Sequence, residues 1–536
     1  MKIFDILERS ASLSPTQLAA VQGERRINYK DLCFCSGKVA GRISSLGLNK
    51  GSRIAILFEN SLEYLIAFFA VFRAGHIAVP LDTSLKPEKI NYILSNCQAS
   101  ALLVQAKYER LLAKILANNP SVRVLISDKA LKQFPPGFSA DTFDGILGGS
   151  VWSSEGSSPG QTRPPSDLRR LNLERESELA STELAAIFYT SGSTGNPKGV
   201  MLSYRNLIAN SIATVMYLKL SARDSVIVIL PFYYIYGNSL LLTHIMAGGT
   251  LVIDNRFLYP EIVMDTMERE EVTGLSGVPS NFMILLNNST FASRSFEHLR
   301  YFTQAGGAMA PEVVRKLMRA FPNKEIYIMY GLTEASPRVS YVPPERLKDK
   351  VGSIGIPLPG VRMGIVKEDG SEGAVGEEGE IAVSGDNVML GYWNDPEESR
   401  QVLKDGWLLT GDLGCVDGEG YFYVVGRKKD IIKVGGNRVS AKEVEEHILE
   451  LGKVAEAAVV EVPDSVLGEA IKAVVVLKRG EEATEKELQN FCRSRLADHK
   501  VPKYVEFVPS LPKYLSGKVN KQALKRQARQ GILGKG

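Results

Sequence analysis

The stretch from Tyr189 to Val200 reads YTSGSTGNPKGV, and it directly follows the apolar run Ala185–Phe188. Its glycines let the backbone approach an anion closely, and hydroxyl and amide groups can donate to phosphate oxygens. Lys198 adds a positive charge on a flexible stem. The P-loop spacing G-x-x-x-x-G-K-[ST] is not met from either Gly192 or Gly195. A flexible Ser/Gly turn is the alternative, but this residue order after a strand favours a phosphate-binding loop.

The segments on either side of the loop alternate short apolar strands with helices. The strands are rich in β-branched residues, and one helix begins at a proline. Such alternation predicts mostly parallel sheets covered by helices. The predicted strands are Ile54–Phe58, Ala101–Val104, Ala185–Tyr189, Val226–Leu230, Thr250–Ile253 and Ile326–Met329, and the predicted helices are Tyr64–Phe72 and Pro87–Leu94.

The pattern changes after about residue 350, where glycines become frequent and short alternating strands predict a small antiparallel β region. A compact α+β pattern follows a charged run, and we place a domain boundary near Lys429. Residues 1–428 are predicted to form a large N-terminal domain, and residues 429–536 a small mobile α+β domain. Residues 152–180, rich in Ser, Pro and Gly and then charged, are predicted to form an exposed loop. The late elements are strands Glu380–Ser384, Tyr421–Val425, Ala457–Val462, Ala473–Leu477 and Val505–Val508, and helices Ala441–Leu451 and Thr484–Leu496.

Length and composition limit the class of protein. A chain of 536 residues exceeds one ordinary core, and 44% hydrophobic with 23% charged residues is typical of a globular protein. A net charge of +4 does not favour nucleic-acid binding. The five scattered cysteines suit reduced thiols, and neither a signal peptide nor a membrane-length apolar stretch is visible. We therefore expect a cytoplasmic protein without an integral membrane segment; assembly as a homodimer is left open.

The loop at 189–200 resembles the signature sequence of the adenylate-forming superfamily, which includes acyl-CoA synthetases, firefly luciferase and the adenylation domains of peptide synthetases. Six further blocks similar to those of the family follow in order along almost the whole chain. They are Gly306-Gly-Ala308, Tyr330-Gly-Leu-Thr-Glu334, Gly391-Tyr-Trp393, Gly406-Trp-Leu-Leu-Thr-Gly-Asp412, Gly426-Arg427 through Arg438, and Leu511-Pro-Lys-Tyr-Leu-Ser-Gly-Lys518. The resemblance implies an α/β multidomain enzyme that joins a carboxylic acid to AMP and passes the acyl group to a thiol.

Residues of these blocks are expected, by the resemblance, to bind ATP. Tyr330 offers an aromatic face to adenine, opposite a wall formed by residues 306–308. Asp412 can accept hydrogen bonds from both ribose hydroxyls. Arg427 is expected to help hold the ribose, and Arg438 to approach a phosphate. The expected nucleotide-binding residues are Thr190, Ser191, Gly192, Ser193, Thr194, Gly195, Lys198, Gly306, Gly307, Ala308, Tyr330, Gly331, Leu332, Asp412, Arg427 and Arg438.

The chemistry requires a carboxylate to attack the α-phosphorus of ATP, so the protein must position two anions and neutralise developing charge. The resemblance implies that Thr333 contacts the α-phosphate and that Glu334 holds Mg²⁺ with Thr190 nearby. It also implies that Lys518 bridges the carboxylate and the α-phosphate. For the thiol step the family rotates its C-terminal domain about a hinge, which matches Lys429 here. Lys433, Gly435 and Gly436 would then approach the incoming pantetheine.

The segment Pro231–Gly237 (PFYYIYG) matches the block that shapes the acyl pocket in the family. Many acyl-CoA synthetases carry a histidine after the phenylalanine, whereas this chain has tyrosines. No acidic residue lies between Pro231 and Leu242, which disfavours an α-amino acid. A fatty or aryl acid is expected, and its length is not readable. The expected pocket residues, forming an apolar or aromatic wall, are Tyr233, Tyr234, Tyr236, Gly237, Gly277 and Val278.

The acceptor and the activity keep alternatives open. Coenzyme A is the expected acceptor because the chain carries no fused carrier domain, and the phosphopantetheine thiol of a separate carrier protein is the runner-up. A non-catalytic ATP-binding regulator is a further alternative. It would not need Lys198, Glu334, Asp412 and Lys518 together.

Overall fold

The computed structural model describes residues 1–117, 119, 121–132, 140–149, 180–190, 196–464, 466–514, 517 and 519–533. The loop predicted at 152–180 lies outside the described residues except for Ala180. Among the helices that are described, none is both long and apolar enough to cross a bilayer.

Two large sheets with their helices form most of the N-terminal part. The first strands are β1 (Leu18–Gln22), β2 (Arg25–Asn28), β3 (Arg53–Leu57), β4 (Ile77–Pro80), β5 (Ala101–Val104), β6 (Val124–Ser127), β7 (Ala140–Thr142), β8 (Leu184–Thr190) and β9 (Lys198–Ser203). The helices among them are α1 (Ile3–Leu13), α2 (Tyr29–Ser44), α3 (Leu62–Arg73), α4 (Pro87–Cys97), α5 (Leu112–Ile115) and α6 (Phe143–Leu147).

The following segment completes the sheet that begins with β1 and β2. Its strands are β10 (Ser225–Val228), β11 (Thr250–Ile253), β12 (Gly274–Gly277), β13 (Tyr301–Gln304), β14 (Glu325–Gly331), β15 (Arg338–Val342) and β16 (Ile356–Pro357). Its helices are α7 (Tyr204–Tyr217), α8 (Ile235–Ala247), α9 (Pro260–Arg269), α10 (Pro279–Asn288) and α11 (Pro311–Ala320).

Two smaller sheets follow. The strands before the C-terminal region are β17 (Val361–Val366), β18 (Gly379–Gly385), β19 (Gly391–Tyr392), β20 (Leu403–Lys404), β21 (Trp407–Val416) and β22 (Phe422–Arg427), with helix α12 (Pro396–Val402). The C-terminal region contains β23 (Ile431–Val434), β24 (Asn437–Ser440), β25 (Val454–Asp464), β26 (Gly468–Leu477) and β27 (Tyr504–Phe507), with α13 (Ala441–Leu449), α14 (Glu485–Arg493) and α15 (Lys521–Leu533).

The strand order separates four sheets. The nine-stranded sheet runs β16-β15-β14-β13-β12-β10-β11-β1-β2 and is parallel from β14 to β1. The eight-stranded sheet runs β19-β9-β8-β4-β3-β5-β6-β7 and is parallel from β8 to β7. Strands β17, β18, β20, β21 and β22 form a smaller antiparallel sheet. The C-terminal sheet is antiparallel except for β27, which pairs parallel to β26.

The main hydrophobic core joins both large sheets. Every residue of α8 is buried, and α3 is buried along all but its two charged residues. Helices that are apolar all round need neighbours on every side. The same core contains side chains of α3, α7 and α8 together with strands of both sheets, so these helices lie inside the N-terminal domain.

The predicted fold class is confirmed: helix-covered, mostly parallel sheets, a small antiparallel β region and a C-terminal α+β unit. The single-turn 3₁₀ helix Lys428–Asp430 connects the third sheet to the C-terminal one. The domain boundary near Lys429 stays a prediction.

Candidate active site

The predicted blocks meet at one edge of the nine-stranded sheet. Strands β10, β12, β13 and β14 are consecutive neighbours, and a predicted block follows the carboxyl end of each. Gly277 lies opposite Gln304, and Gln304 lies opposite Ile328, so the strand ends are aligned. Ligands bind at this edge of parallel sheets because the following loops converge there.

The block after β14 forms a tight turn. A Cβ at Gly331 would lie 2.1 Å from the carbonyl oxygen of Pro337, so only glycine fits there. The Leu332 amide donates to the same carbonyl at 2.9 Å, and Thr333–Ala335 form one 3₁₀ turn. Thr333 and Glu334 are thereby held beyond the strand end.

Contacts made by Tyr392 connect this turn to the end of the loop that is predicted to bind phosphate. The Tyr392 hydroxyl donates to Glu334 Oε1 at 2.9 Å. Burial raises the pKa of Tyr392, and the neighbouring Glu334 carboxyl group raises it further. The Lys198 ammonium lies 5.5 Å from the centre of the Tyr392 ring and pairs with Glu398 at 2.6 Å. Thr190 lies opposite Lys198 across β8 and β9. Three separate blocks therefore meet here.

The donor set at Glu334 fits a magnesium ion. Mg²⁺ prefers one or two carboxylates together with water and substrate phosphates. Glu334 supplies a carboxylate that has one oxygen bonded to Tyr392, while the hydroxyl of Thr190, which lies opposite Lys198 in β8, stays a predicted second ligand. In the described ranges no group of three or more His, Cys, Asp or Glu side chains forms an all-protein cage. The residues therefore suit an ion held mainly by ATP and water.

Asp412 lies buried between two protein donors, with 2% of its surface exposed. The Tyr330 hydroxyl donates to Oδ2 at 2.6 Å, and Arg427 Nε donates to Oδ1 at 2.6 Å. Burial raises the pKa of Tyr330 well above its usual value, and the neighbouring Asp412 carboxyl group raises it further. The phenol therefore remains a hydrogen-bond donor. Each carboxylate oxygen keeps a lone pair for another donor, as a ribose diol would require.

The glycine block after β13 is held by its own strand. The Gln304 side-chain amide donates to the carbonyl of Gly307 at 2.8 Å. Gly306 adopts a positive φ of 84°, which turns the chain away from the strand. Gly306, Gly307 and Ala308 thus follow β13 next to the Tyr330 block on β14.

The acyl block combines aromatic rings with buried polar atoms. The Tyr236 hydroxyl contacts Thr303 through its carbonyl at 3.1 Å and its Oγ1 at 2.9 Å. The rings of Tyr234 and Tyr236 are 6.4 Å apart in an edge-to-face arrangement, and the buried Tyr233 hydroxyl lacks a hydrogen-bond partner among the described residues. Gly237 continues this block in α8, Gly277 is the last residue of β12, and Val278 follows it.

The C-terminal motif contacts this acyl edge. Ser280 Oγ donates to the carbonyl of Gly517 at 2.7 Å. Gly517 has a φ of +80°, and a Cβ there would lie 2.6 Å from Val278 Cγ2. The residue before Lys518 therefore packs against a predicted pocket residue at the start of α10. Sequence reasoning did not identify Ser280, which has no signal beyond its position after Val278 and Pro279.

The residues predicted for the thiol step lie elsewhere. Lys433, Gly435 and Gly436 are exposed on the β23–β24 hairpin, whose amides at Lys433 and Gly435 donate to Glu469 and Leu467. Arg438 pairs with Glu368 at 2.7 Å rather than joining the Glu334 or Asp412 groups. Their roles stay predictions. Ser191, Gly192, Ser193, Thr194, Gly195 and Lys518 lie outside the described residues.

Comparison with known proteins identifies the family. A model of AMP-binding enzymes matches residues 7–393, and a model of the AMP-binding enzyme C-terminal domain matches residues 443–518. The long-chain-fatty-acid–CoA ligase of Escherichia coli O157:H7 is 33% identical over 542 residues, covering 98% of this chain and 94% of the relative. The chain belongs to the AMP-binding enzyme family, and the predicted resemblance is confirmed.

Two solved structures resemble the whole chain. Anthranilate CoA ligase AuaEII in complex with anthranoyl-AMP matches with a TM-score of 0.86 and 25% identity, covering 99% of this chain and 98% of that one. ATP-bound MatB from Rhodopseudomonas palustris matches with a TM-score of 0.83 and 30% identity, covering 98% of this chain and 99% of that one.

Proposed function

We propose that this chain is an AMP-forming acid–thiol ligase that activates a carboxylic acid with ATP and transfers the acyl group to coenzyme A. The observation that carries the proposal is that the sequence blocks containing Lys198, Glu334 and Asp412 lie together around the carboxyl edge of the nine-stranded sheet. A regulator that only bound ATP would not need the C-terminal motif beside the acyl block. The relatives' names support the same activity.

In the first step a carboxylate oxygen of the acid attacks the α-phosphorus, and the bond to pyrophosphate breaks. Lys198 and Thr333 neutralise and orient phosphate oxygens, while Asp412 and Tyr330 hold the nucleoside. Glu334 and Thr190 would hold Mg²⁺, which supplies positive charge to the triphosphate when bound. Lys518 is proposed to bridge the carboxylate and the α-phosphate, where charge grows in the transition state.

In the second step the thiol sulfur attacks the acyl carbon, the thiol proton leaves to solvent, and the bond to AMP breaks. A segment beside the acyl pocket must leave to admit a long pantetheine arm. Rotation about Lys429 would remove the Gly517 segment and bring Lys433, Gly435 and Gly436 towards the pocket. The exposed position of that hairpin is compatible with such a movement.

The acid is proposed to be fatty or aryl, in keeping with relatives named for long-chain fatty acids and for anthranilate. A carrier-protein phosphopantetheine is the alternative acceptor, since the thiol chemistry is the same. A cytoplasmic location and a homodimer remain predictions from the sequence.

Incubation of the purified full chain with ATP, Mg²⁺ and a panel of acids, with and without coenzyme A, tests the proposal. We expect acid-dependent release of AMP and pyrophosphate, and a thioester only with coenzyme A. Formation of ADP, or no nucleotide turnover with any acid, would refute it. A holo-carrier protein in place of coenzyme A distinguishes the two acceptors.

A further inference from the structure

A buried arginine lies beside the acyl block, and among the described residues it has no ionic partner. Arg338 opens β15, and only 1% of its surface is exposed. Its Nη1 donates to the Tyr217 hydroxyl at 2.9 Å, whereas Nε and Nη2 have no hydrogen-bond partner within the described ranges. A guanidinium keeps its proton inside proteins, so this position carries a full positive charge. Burying such a charge without a counter-ion is strongly unfavourable.

The neighbouring side chains do not neutralise this charge. The guanidinium lies 5.5 Å from the centre of the Tyr236 ring, which offers only a weak cation–π attraction. His244 is neutral, because burial lowers its pKa to about 4. In the part of the chain that the structure describes, no carboxylate pairs with Nε or Nη2 of Arg338.

The position of Arg338 is set by the active-site turn. Its backbone carbonyl accepts from Asn210 Nδ2 at 2.6 Å, and Asn210 also reaches the carbonyl of Ala335 at 3.5 Å. Asn210 therefore fixes the backbone of Arg338 relative to the turn that contains Glu334. The Arg338 guanidinium faces Tyr236 of the acyl block. Ser239 lies about one helical turn from Tyr236 in α8, and its buried hydroxyl also lacks a partner in the described part of the chain. The aromatic wall expected from the sequence thus includes a cationic, polar portion.

The two unpaired nitrogens form one edge of the guanidinium. The Nε–H bond and one Nη2–H bond point in parallel, and this fork matches the two oxygens of a carboxylate. We propose that the acid activated by this chain carries a second carboxylate, which binds side-on to Nε and Nη2 of Arg338 while the first reacts with ATP. The inference rests on the proposed function and narrows its substrate class to dicarboxylic acids.

The test compares matched acids on the full chain. Hexanedioic, decanedioic and isophthalic acids are paired with hexanoic, decanoic and benzoic acids, and kcat/KM is measured from AMP release. The variants are Arg338→Met, which keeps much of the side-chain volume, and Arg338→Lys, which keeps the charge without the fork. Arg319→Met serves as the control, because Arg319 is exposed and pairs with Glu312 on the surface of α11.

We expect wild type and Arg319→Met to have the higher kcat/KM for the diacid in at least one pair. Arg338→Met should reduce this preference about 10- to 100-fold, which is the factor expected when hydrogen bonds to a charged group are lost. Arg338→Lys should lose part of it. Equal use of monoacids and diacids by wild type would overturn the inference while leaving the ligase proposal intact, even if Arg338→Met failed to fold. Absence of AMP with every acid would instead refute the proposed function, and this inference with it.

Discussion

Substitution of Gly517 by alanine tests whether the segment before Lys518 must dock at the acyl edge for adenylation. Gly517 has a φ of +80° and accepts a hydrogen bond from Ser280. The added Cβ would lie 2.6 Å from Val278 Cγ2 and 2.9 Å from Ser280 Oγ. Both contacts are shorter than ordinary van der Waals separations, so the docked segment would have to shift.

Two costs add in this variant. A non-glycine residue in the left-handed region costs about 1–2 kcal/mol. Overpacking by one methyl group in a tight contact costs about 1–3 kcal/mol. The sum, about 2–5 kcal/mol, would lower the docked population and the adenylation rate by about 30-fold to several thousand-fold. Docking against Val278 is not used in the proposed thiol step, so that step should change little.

ATP–pyrophosphate exchange measures the first half-reaction, and thioester formation from supplied acyl-AMP measures the second. Gly480→Ala is the matched control, because Gly480 has a φ of +81° and its added methyl group would meet nothing within 4 Å among the described residues. Gly480→Ala should retain ATP–pyrophosphate exchange if the loss in Gly517→Ala comes from the contact with Val278 rather than from backbone strain alone. Adding Val278→Ala to Gly517→Ala should recover part of the exchange. Unchanged exchange in Gly517→Ala, or an equal loss of both half-reactions, would refute the reasoning.

Lys518→Ala should lower the rate of ATP–pyrophosphate exchange by about two or more decades, because it removes a cation that acts on charge in the transition state. The same variant should largely retain thioester formation from acyl-AMP. The exposed Lys486→Ala serves as its control, and equal loss of both steps would count against domain rotation. Lys433→Ala should slow single-turnover transfer from acyl-AMP to coenzyme A more than it slows exchange; the reverse order would exclude its proposed role. Asp412→Asn should weaken ATP binding about 10- to 100-fold by removing a charged acceptor, measurable by titration calorimetry, and an unchanged Kd would contradict a ribose contact.

The elements were predictable where apolar patterns persist, and their ends were not. The helix expected at Tyr64–Phe72 runs from Leu62 to Arg73. It begins earlier than expected because the Ser61 hydroxyl caps it by accepting a hydrogen bond from the backbone amide of Tyr64. The strand expected at Ala457–Val462 extends over Val454–Asp464. Its polar ends continue the pairing with β26, and hairpin pairing depends on the partner strand rather than on local hydrophobicity.

Contacts between distant blocks were also beyond the sequence. Tyr392 belongs to a recognised block, yet its hydrogen bond to Glu334 depends on β19 pairing with β9 beside the turn after β14. Arg338 has no periodic or motif signal, and the acyl wall was expected to be apolar or aromatic. Only packing shows that this side chain is buried with two nitrogens unpaired by any described residue.

The linear order of residues determined the alternation of strands and helices, the family blocks and the types of side chain available for ATP and the acid. These properties depend on local periodicity and on short motifs, which a single chain carries in itself. The tertiary structure alone decided that blocks following β10, β12, β13 and β14 share one edge, that Gly517 contacts Ser280, and that Arg338 lacks a counter-ion among the residues described. Such facts depend on which strands become neighbours and on what shields a charge from water, and both arise only when residues far apart in the chain pack together.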